Sequence, residues 1–151
     1  MPHTTTKGKN VYSVDMMFAY INLFGGPDVV DVKLEDIGFD PNNKGWGEMD
    51  TSVNDVLKNP RKYSKDYAEI LKADLKYPIL LDSRYGILDG VHRYVKALGL
   101  GKKTIKAQIF DKKLLSKFII NKKGDHTQDI KIHEYIEMFH KRFLRRNYPR
   151  R

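Results

Sequence analysis

The chain has 151 residues, no cysteine and a formal net charge of +9 at pH 7. This length suits one ordinary domain with a hydrophobic core, and the lack of cysteine excludes a disulfide framework, a thiolate zinc site and a cysteine nucleophile. The first ten residues lack the layout of a signal peptide, and no apolar run reaches membrane-spanning length. We therefore expect a soluble, cytoplasmic protein without a membrane partner.

The basic residues are concentrated in the second half of the sequence. Residues 1–60 contain 5 Lys/Arg and 9 Asp/Glu, residues 61–110 contain 11 and 5, and residues 111–151 contain 12 and 5. Such asymmetry favours a polyanionic partner, nucleic acid first and phosphate-bearing ligands second. A charge that only keeps the protein soluble is the alternative.

The N-terminal part is predicted to contain a tail, a helix, a strand and a long loop. Residues 1–10 are polar and predict a flexible tail. Ser13 is the predicted cap of a helix that ends near Phe24, and its apolar residues repeat at helical spacing. Residues 29–34 alternate like a strand. Residues 35–50 are rich in Gly, Pro, Asn and Asp, so they predict a long loop of the kind that often carries function.

The remaining pattern alternates helices and short strands. We predict a short helix at 52–59, a helix capped by Ser64, strands at 78–82 and 87–89, a helix at 91–100 and a strand at 104–110. Residues 112–120 predict another helix, and residues 121–125 predict a break. The last predicted helix runs from about Thr127 to Arg146. This order of elements predicts an α/β fold.

The segment Asp89-Gly90-Val91-His92-Arg93 stands where a predicted strand becomes a helix. The first turn of a helix attracts anions through its unpaired N–H groups and partial positive charge. Gly90 lets a phosphate approach the backbone, Arg93 can hold two phosphate oxygens, and His92 can donate a hydrogen bond or a proton. Asp89 suits a helix N-cap, a Mg²⁺ ligand or a contact to a substrate hydroxyl. Together they favour a nucleotide phosphate; an ordinary Asp-Gly turn is the alternative.

The stretch "YPILLDSRYGILDGVHRYVKALGLGKKTIKAQIF" (77–110) resembles the core of the ParB/sulfiredoxin-like superfamily. Upstream, "VKLEDI" (32–37) resembles the first strand and turn of that family. "YSKDYAEILKADLKYPILL" (63–81) is similar to the helix that leads into its "PI" strand. The resemblance covers roughly residues 29 to 110. It implies a small mixed β-sheet flanked by helices, to which this chain adds N- and C-terminal helices.

The motif narrows the activities that the resemblance implies. Sulfiredoxin has a catalytic Cys where this chain has Val91, which excludes sulfiredoxin activity. ParB partition proteins have Glu-Arg-Arg after the glycine and bind CTP, whereas this chain has Val-His-Arg, which argues against CTP binding. The Asp-Gly-x-His-Arg form is similar to that of free serine kinases, which use ADP or ATP, of DGQHR-type proteins linked to DNA modification, and of ParB-like nucleases. The resemblance then implies phosphate binding at residues 90–93, Mg²⁺ at Asp89, and catalytic roles for Asp89 and His92.

The kinase-like members use a carboxylate as the base on the acceptor hydroxyl. Glu48, in the loop "GWGEMD", is our first candidate, and the acids at 35, 36 and 50 follow it. Trp46 in the same loop is a candidate contact for the nucleotide base. An ordinary solvated acid and a packing tryptophan are the alternatives.

The predicted last helix is amphipathic, and its C-terminal end is strongly basic. Four residues of that end are candidates for nucleic-acid binding: Lys141, Arg142, Arg145 and Arg146. The alternative is a helix that packs its aromatic stripe on the domain and leaves its charges in water.

We therefore predict a tail at 1–10, a ParB/sulfiredoxin-like domain at 11–124 with its core at 29–110, and a basic helix at 125–151. Three functional hypotheses stay open. The first is a nucleotide-binding phosphoryl-transfer enzyme, an NTPase or small-molecule kinase that uses ATP or ADP with Mg²⁺. The second is a DNA-associated ParB-like protein, a nuclease, partition or regulatory factor. The third is an inactive scaffold. The motif favours the first, and the charge asymmetry favours the second.

Overall fold

A computed structural model describes residues 3–44, 50–122 and 130–144. The elements in chain order are β1 (Thr4–Lys7), β2 (Asn10–Ser13), α1 (Val14–Phe24), β3 (Val29–Lys33), a 3₁₀ turn (Leu34–Asp36), α2 (Val53–Lys58), α3 (Ser64–Lys72), β4 (Ile79–Asp82), β5 (Ile87–Asp89), α4 (Val91–Gly99), β6 (Thr104–Phe110), α5 (Lys112–Leu115), a 3₁₀ turn (Ser116–Phe118), β7 (Ile119–Lys122), α6 (Ile132–Phe139) and a π-helical turn (His140–Leu144). The predicted α/β class is confirmed. No helix of the described ranges is long and apolar enough to cross a membrane.

The chain divides into two compact units. One is formed by Met1–Asp28 together with Phe110–Arg151, and the other by Val29–Ile109. The N- and C-terminal segments, which the sequence analysis treats as separate additions, belong to one unit.

The unit Val29–Ile109 is built on a four-stranded sheet with the strand order β3-β6-β4-β5. Strand β3 pairs antiparallel with β6, and β4 pairs antiparallel with β5. The core contains alternate strand residues such as Val32, Ile79, Leu81 and Ile105, because successive strand side chains point to opposite faces. The helices of this unit cover that core with Val56, Ile70, Tyr94, Val95 and Ala97.

The side chain of Lys96 links helices α3 and α4. The Nζ atom of Lys96 on α4 donates to the backbone oxygens of Leu71 and Ala73, at 2.7 Å each. These oxygens belong to the C-terminal end of α3, where backbone carbonyls lack partners within the helix. The bonds therefore cap α3 and hold it beside α4.

The terminal unit has a three-stranded antiparallel sheet with the order β1-β2-β7. Its core contains packed aromatic rings, with distances measured between ring centroids. Phe118 meets Phe110 and Tyr20 edge-to-face at 5.6 Å and 5.7 Å, and it stacks on Phe143 at 5.1 Å. Phe139 extends the cluster to α6, 4.9 Å from Phe143. Among the described residues of this unit, Phe110 and Phe118 are the largest fully buried side chains.

Several predicted elements and element boundaries differ from the structure. Thr4–Lys7 and Asn10 lie in strands within the predicted flexible tail; their hydroxyl-rich pattern has no apolar alternation to reveal them. Residues 119–120 of the predicted helix at 112–120 belong to strand β7, where β-branched isoleucines pack well. Helix α6 begins at Ile132, and residues 123–129 lie outside the described ranges. Ser64 is the first residue of α3 and not its cap; the N-cap is Tyr63.

Candidate phosphate site

The predicted motif lies at the junction of β5 and α4. Strand β5 ends at Asp89, Gly90 is the N-cap with a φ of 113°, and α4 begins at Val91. Gly90 has no side chain that could cap this helix. The N-cap residue is thus Gly90 and not, as the sequence analysis expects, Asp89, and the carboxylate of Asp89 pairs with Arg93. The N-terminus of α4, which carries a partial positive charge, lies within the motif and favours an anion.

The side chain of Arg93 links the motif to the two residues that precede strand β4. Its Nη2 atom donates to Oδ2 of Asp89 at 2.9 Å, and its Nη1 atom donates to the backbone oxygens of Pro78 at 3.0 Å and Tyr77 at 3.4 Å. The side chains of Arg93 and Asp89 are 17% and 14% exposed. A guanidinium has more N–H donors than these three bonds use, so Arg93 can keep them and still donate a hydrogen bond to a ligand.

A cleft of about 250 Å³ opens in front of this junction. We call it the α4 cleft. Three basic side chains line it: Lys72, His92 and Arg93. Three acidic side chains share it: Glu69, Asp74 and Asp89. The exposed ring of Tyr77 lies at its rim, where it offers a flat surface for stacking.

His92 is half-buried in the cleft wall, and its pKa is shifted downward. Burial is the main cause, because it disfavours the charged imidazolium. The carboxylates of Glu69, Asp66 and Asp89 raise the pKa, and Arg93 lowers it, but burial outweighs the acids. His92 is therefore mainly neutral at pH 7 in the unliganded protein, and an arriving phosphate would favour its protonated form.

Four charged or aromatic residues of the cleft are not predicted from the sequence: Glu69, Lys72, Asp74 and Tyr77. Lys72 and Glu69 lie on one face of α3, three residues apart, and Tyr77 directly precedes the "PI" strand. Their spacing is ordinary for an exposed helix end, so only the packing of α3 beside α4 reveals that they line the cleft. The acidic Glu69 and the basic Lys72, three residues apart, are the signal that the sequence offers.

The other predicted site residues lie apart from the cleft or outside the described ranges. Glu48, Trp46, Arg145 and Arg146 lie outside the described residues. Within the described ranges, no group of three or more His, Cys, Asp or Glu side chains is placed to hold a metal ion. A Mg²⁺ ion at Asp89 would therefore need phosphate oxygens and water as further ligands, as is usual for this ion.

The basic C-terminal residues differ in their contacts. The side chain of Lys141 is exposed. The Nη1 atom of Arg142 donates to the backbone oxygens of Lys117 and Ile119, at 3.1 Å and 2.5 Å. Burial lowers the pKa of Arg142. Arg142 thus fastens the π-helical turn to the start of β7.

The net charge differs between the two units. The terminal unit, 1–28 with 110–151, contains 14 Lys/Arg and 7 Asp/Glu, whereas the unit 29–109 contains 14 and 12. The terminal unit therefore has a charge of +7 and the other unit +2. The α4 cleft lies in the unit 29–109, whose positive and negative charges nearly cancel. The Asp89–Arg93 motif and most of the excess positive charge therefore belong to different units.

Two solved structures are similar to this chain. One form of a Pnob8-like ParB N-domain shares 17% identity with a TM-score of 0.32, and covers 82% of this chain and 39% of that chain. A second pNOB8-like ParB N-domain structure shares 19% identity with a TM-score of 0.33, and covers 81% and 37%. This chain spans about two fifths of the length of the solved chains that it matches. No family model and no curated protein matches the sequence.

Both solved structures are ParB N-domains, whereas the resemblance in the sequence is to the wider ParB/sulfiredoxin-like superfamily. Because both TM-scores are low, we base the functional proposal on the α4 cleft itself.

Proposed function

We propose that the α4 cleft binds the phosphate groups of a nucleotide, ATP or ADP before CTP, and that the protein transfers or hydrolyses the terminal phosphoryl group. The observation that carries this proposal is the convergence of the α4 N-terminus with Lys72, His92 and Arg93 on one cleft. Backbone N–H groups and cationic side chains are the donors that phosphate prefers.

Each residue has a distinct role in the proposal. The first-turn N–H groups and Lys72 bind phosphate oxygens, and His92 donates a hydrogen bond that strengthens once it is protonated. Asp89, oriented by Arg93, contributes one carboxylate to a Mg²⁺ ion that phosphate oxygens also hold. Tyr77 stacks on the nucleotide base.

The base for the acceptor hydroxyl is one of two carboxylates. Glu69 lies in the cleft and acts electrostatically on His92. Glu48 is the candidate that the sequence predicts. A base removes the acceptor proton while the oxygen attacks the terminal phosphorus and the bond to the leaving nucleotide breaks. Separate Gln variants at the two positions distinguish them, because only the base variant loses turnover while nucleotide affinity persists.

The test is a thermal-shift and calorimetric titration with ATP, ADP, CTP and GTP, each with and without Mg²⁺. A ligand that binds only the folded state at about 100 times its Kd adds about 2.7 kcal/mol to the free energy of unfolding. We expect Lys72→Gln and His92→Gln to lose this shift and remain folded. Lys62→Gln, an exposed lysine of the same unit outside the cleft, should retain it. No shift with any nucleotide would refute the proposal.

The charge of the terminal unit favours a second function, association with nucleic acid. An excess of seven positive charges on about 70 residues attracts a phosphate backbone independently of sequence. The measurement is the affinity of the full chain for duplex DNA at low salt. If the chain binds neither nucleotide nor DNA, the inactive scaffold is the hypothesis that remains.

A further inference from the structure

We propose that the end of the β1–β2–β7 sheet that carries the β1–β2 turn is a binding surface for the phosphate backbone of duplex DNA. This inference rests on the second function above and assigns it to residues that the sequence analysis did not consider. We call Lys7, Lys9, Asn10 and Lys122 the hairpin-end surface.

Strand pairing places Lys122 beside the β1–β2 turn, although it is more than 100 positions away in sequence. Lys7 is paired with Asn10, and Asn10 is paired with Lys122, so their side chains share one face of the sheet. The Nζ atom of Lys122 donates to Oδ1 of Asn10 at 3.2 Å. Lys9 lies in the two-residue turn, where Gly8 has a φ of 59°. That conformation favours glycine and gives a tight, projecting tip.

The described residues at the hairpin end of the sheet are basic or neutral. Strands β1, β2 and β7 contain no Asp or Glu. On the N-terminal side, Asp15 lies at the other end of the sheet, where its Oδ2 atom accepts the backbone N–H of His3 at 2.9 Å. On the C-terminal side, the acid closest in sequence to Lys122 is Asp125, which lies outside the described residues. Lys9 and Lys122 are exposed and Lys7 is half-buried. Their own strands contribute no carboxylate, so a polyanion can supply the complementary charge.

The donors suit phosphate oxygens. Lysine ammonium groups bind phosphate as point charges, and Asn amides and Thr hydroxyls are regular backbone contacts in protein–DNA complexes. Thr5 and Lys7 share a face, and Thr6 is exposed in the same strand. Neighbouring strands lie about 4.8 Å apart, so Lys7 and Lys122 on the outer strands are spaced by about 10 Å and can reach separate phosphates.

The surface favours duplex over single-stranded nucleic acid. Sheets that bind single strands present exposed aromatic rings on which bases stack. The aromatic residue of this sheet, Tyr12, is 9% exposed and belongs to the core. Binding through charge and short polar side chains reads the backbone and not the bases, so we expect little sequence preference.

The test measures the affinity of the full chain for a fluorescein-labelled 20-base-pair duplex by anisotropy, from low to moderate salt. The variant K7Q/K9Q/K122Q should bind at least about tenfold more weakly at low salt, and the slope of log affinity against log salt should fall by about 2 to 3. The matched control, K33Q/K58Q/K103Q, removes three exposed lysines of the other unit. It should change affinity by less than about threefold.

The outcomes separate the surface from the function. If the wild type binds no duplex at low salt, the DNA-associated function itself fails. If the wild type binds and the hairpin-end variant binds equally well, or both triple variants weaken equally, the function survives and the surface assignment is overturned. Tighter binding to a single strand of the same sequence also overturns the proposal. Lys9 and Lys122 are exposed and Lys7 is half-buried, so thermal melts should stay within a few degrees. If they do not, Lys9→Glu in the exposed turn repeats the test.

Discussion

Gly90 packs directly against Ile79. A β-carbon on residue 90 would lie 2.5 Å from Cγ2 of Ile79 and 2.8 Å from its Cβ, and Ile79 is fully buried. Gly90 also has a φ of 113°, a conformation that other residues rarely adopt. The close contact of the β5–α4 junction with β4 therefore requires glycine at this position, whether or not a ligand binds there.

We predict that Gly90→Ala lowers the free energy of unfolding by about 2 to 4 kcal/mol, because backbone strain adds to overpacking of a buried side chain. Urea denaturation measures this change. Gly99→Ala, in the last residue of the same helix with open space around it, is the control. It should leave stability unchanged or raise it by up to about 1 kcal/mol. Equal losses in both variants would show that the contact with Ile79 is not the cause.

The side chain of Arg93 should stabilise the fold as well as bind a ligand. In Arg93→Ala, the backbone oxygens of Pro78 and Tyr77 and the carboxylate of Asp89 lose a common donor. We expect a loss of about 2 to 3 kcal/mol in the free energy of unfolding. Arg93→Lys should recover less than half of it, because an ammonium cannot reproduce the planar fork.

Arg84→Ala is the control for Arg93, since the side chain of Arg84 is exposed in the β4–β5 turn. It should change stability by less than about 0.5 kcal/mol. Arg93→Ala with wild-type stability would mean that the three bonds contribute little. This prediction is also the reason why Lys72 and His92, rather than Arg93, are the variants of choice for testing nucleotide binding.

His92 should make stability depend on pH. Burial lowers its pKa below the usual 6.5, so the unfolded chain binds this proton more tightly than the folded chain. Stability is then constant above about pH 6.5 and decreases as the pH falls from there through the folded pKa. Chemical denaturation between pH 5 and 8 measures the slope. His92→Gln should flatten it, and an unchanged slope in this variant would assign the effect to other groups.

Nucleotide binding should be linked to protonation of the same side chain. A phosphate beside His92 favours the imidazolium, so binding should take up a proton and tighten as the pH falls from 8 toward 6. Calorimetry in buffers of different ionisation enthalpy counts the proton. We expect His92→Gln to reduce the uptake relative to wild type, which separates the histidine from the phosphate's own titration. Equal uptake by both proteins would exclude the contact.

Arg142 should behave as a structural residue and Lys141 as a surface residue. Arg142→Ala removes two bonds to backbone oxygens of residues 117 and 119. We expect a loss of about 1 kcal/mol, a value reduced by the partial exposure of the side chain. Lys141→Ala should leave the free energy of unfolding within about 0.5 kcal/mol of wild type. Identical thermal melts for the two variants would contradict the distinction.

The central part of the fold follows closely from local sequence pattern. Strands β5 and β6 have their predicted bounds, and α4 ends one residue before the predicted end. Alternating β-branched residues and a glycine at a strand–helix boundary are short-range signals. The terminal sheet was not predicted, because Asn10 pairs with Lys122 and such distant pairing leaves no local pattern. Ile119 and Ile120 form a short apolar run that fits a helix or a strand equally well.

By itself, the sequence determined the α/β class, the strand-to-helix position of the Asp89–Arg93 motif and the overall basic charge, because composition and short-range spacing encode these properties. Only the tertiary structure decided what those residues contact. It places Lys72 and Glu69 of α3 in the cleft with His92, turns the guanidinium of Arg93 toward oxygens 15 and 16 residues earlier, and joins Lys7 to Lys122 through Asn10. These contacts join residues that are far apart in the chain, and packing of helices and pairing of strands bring such residues together.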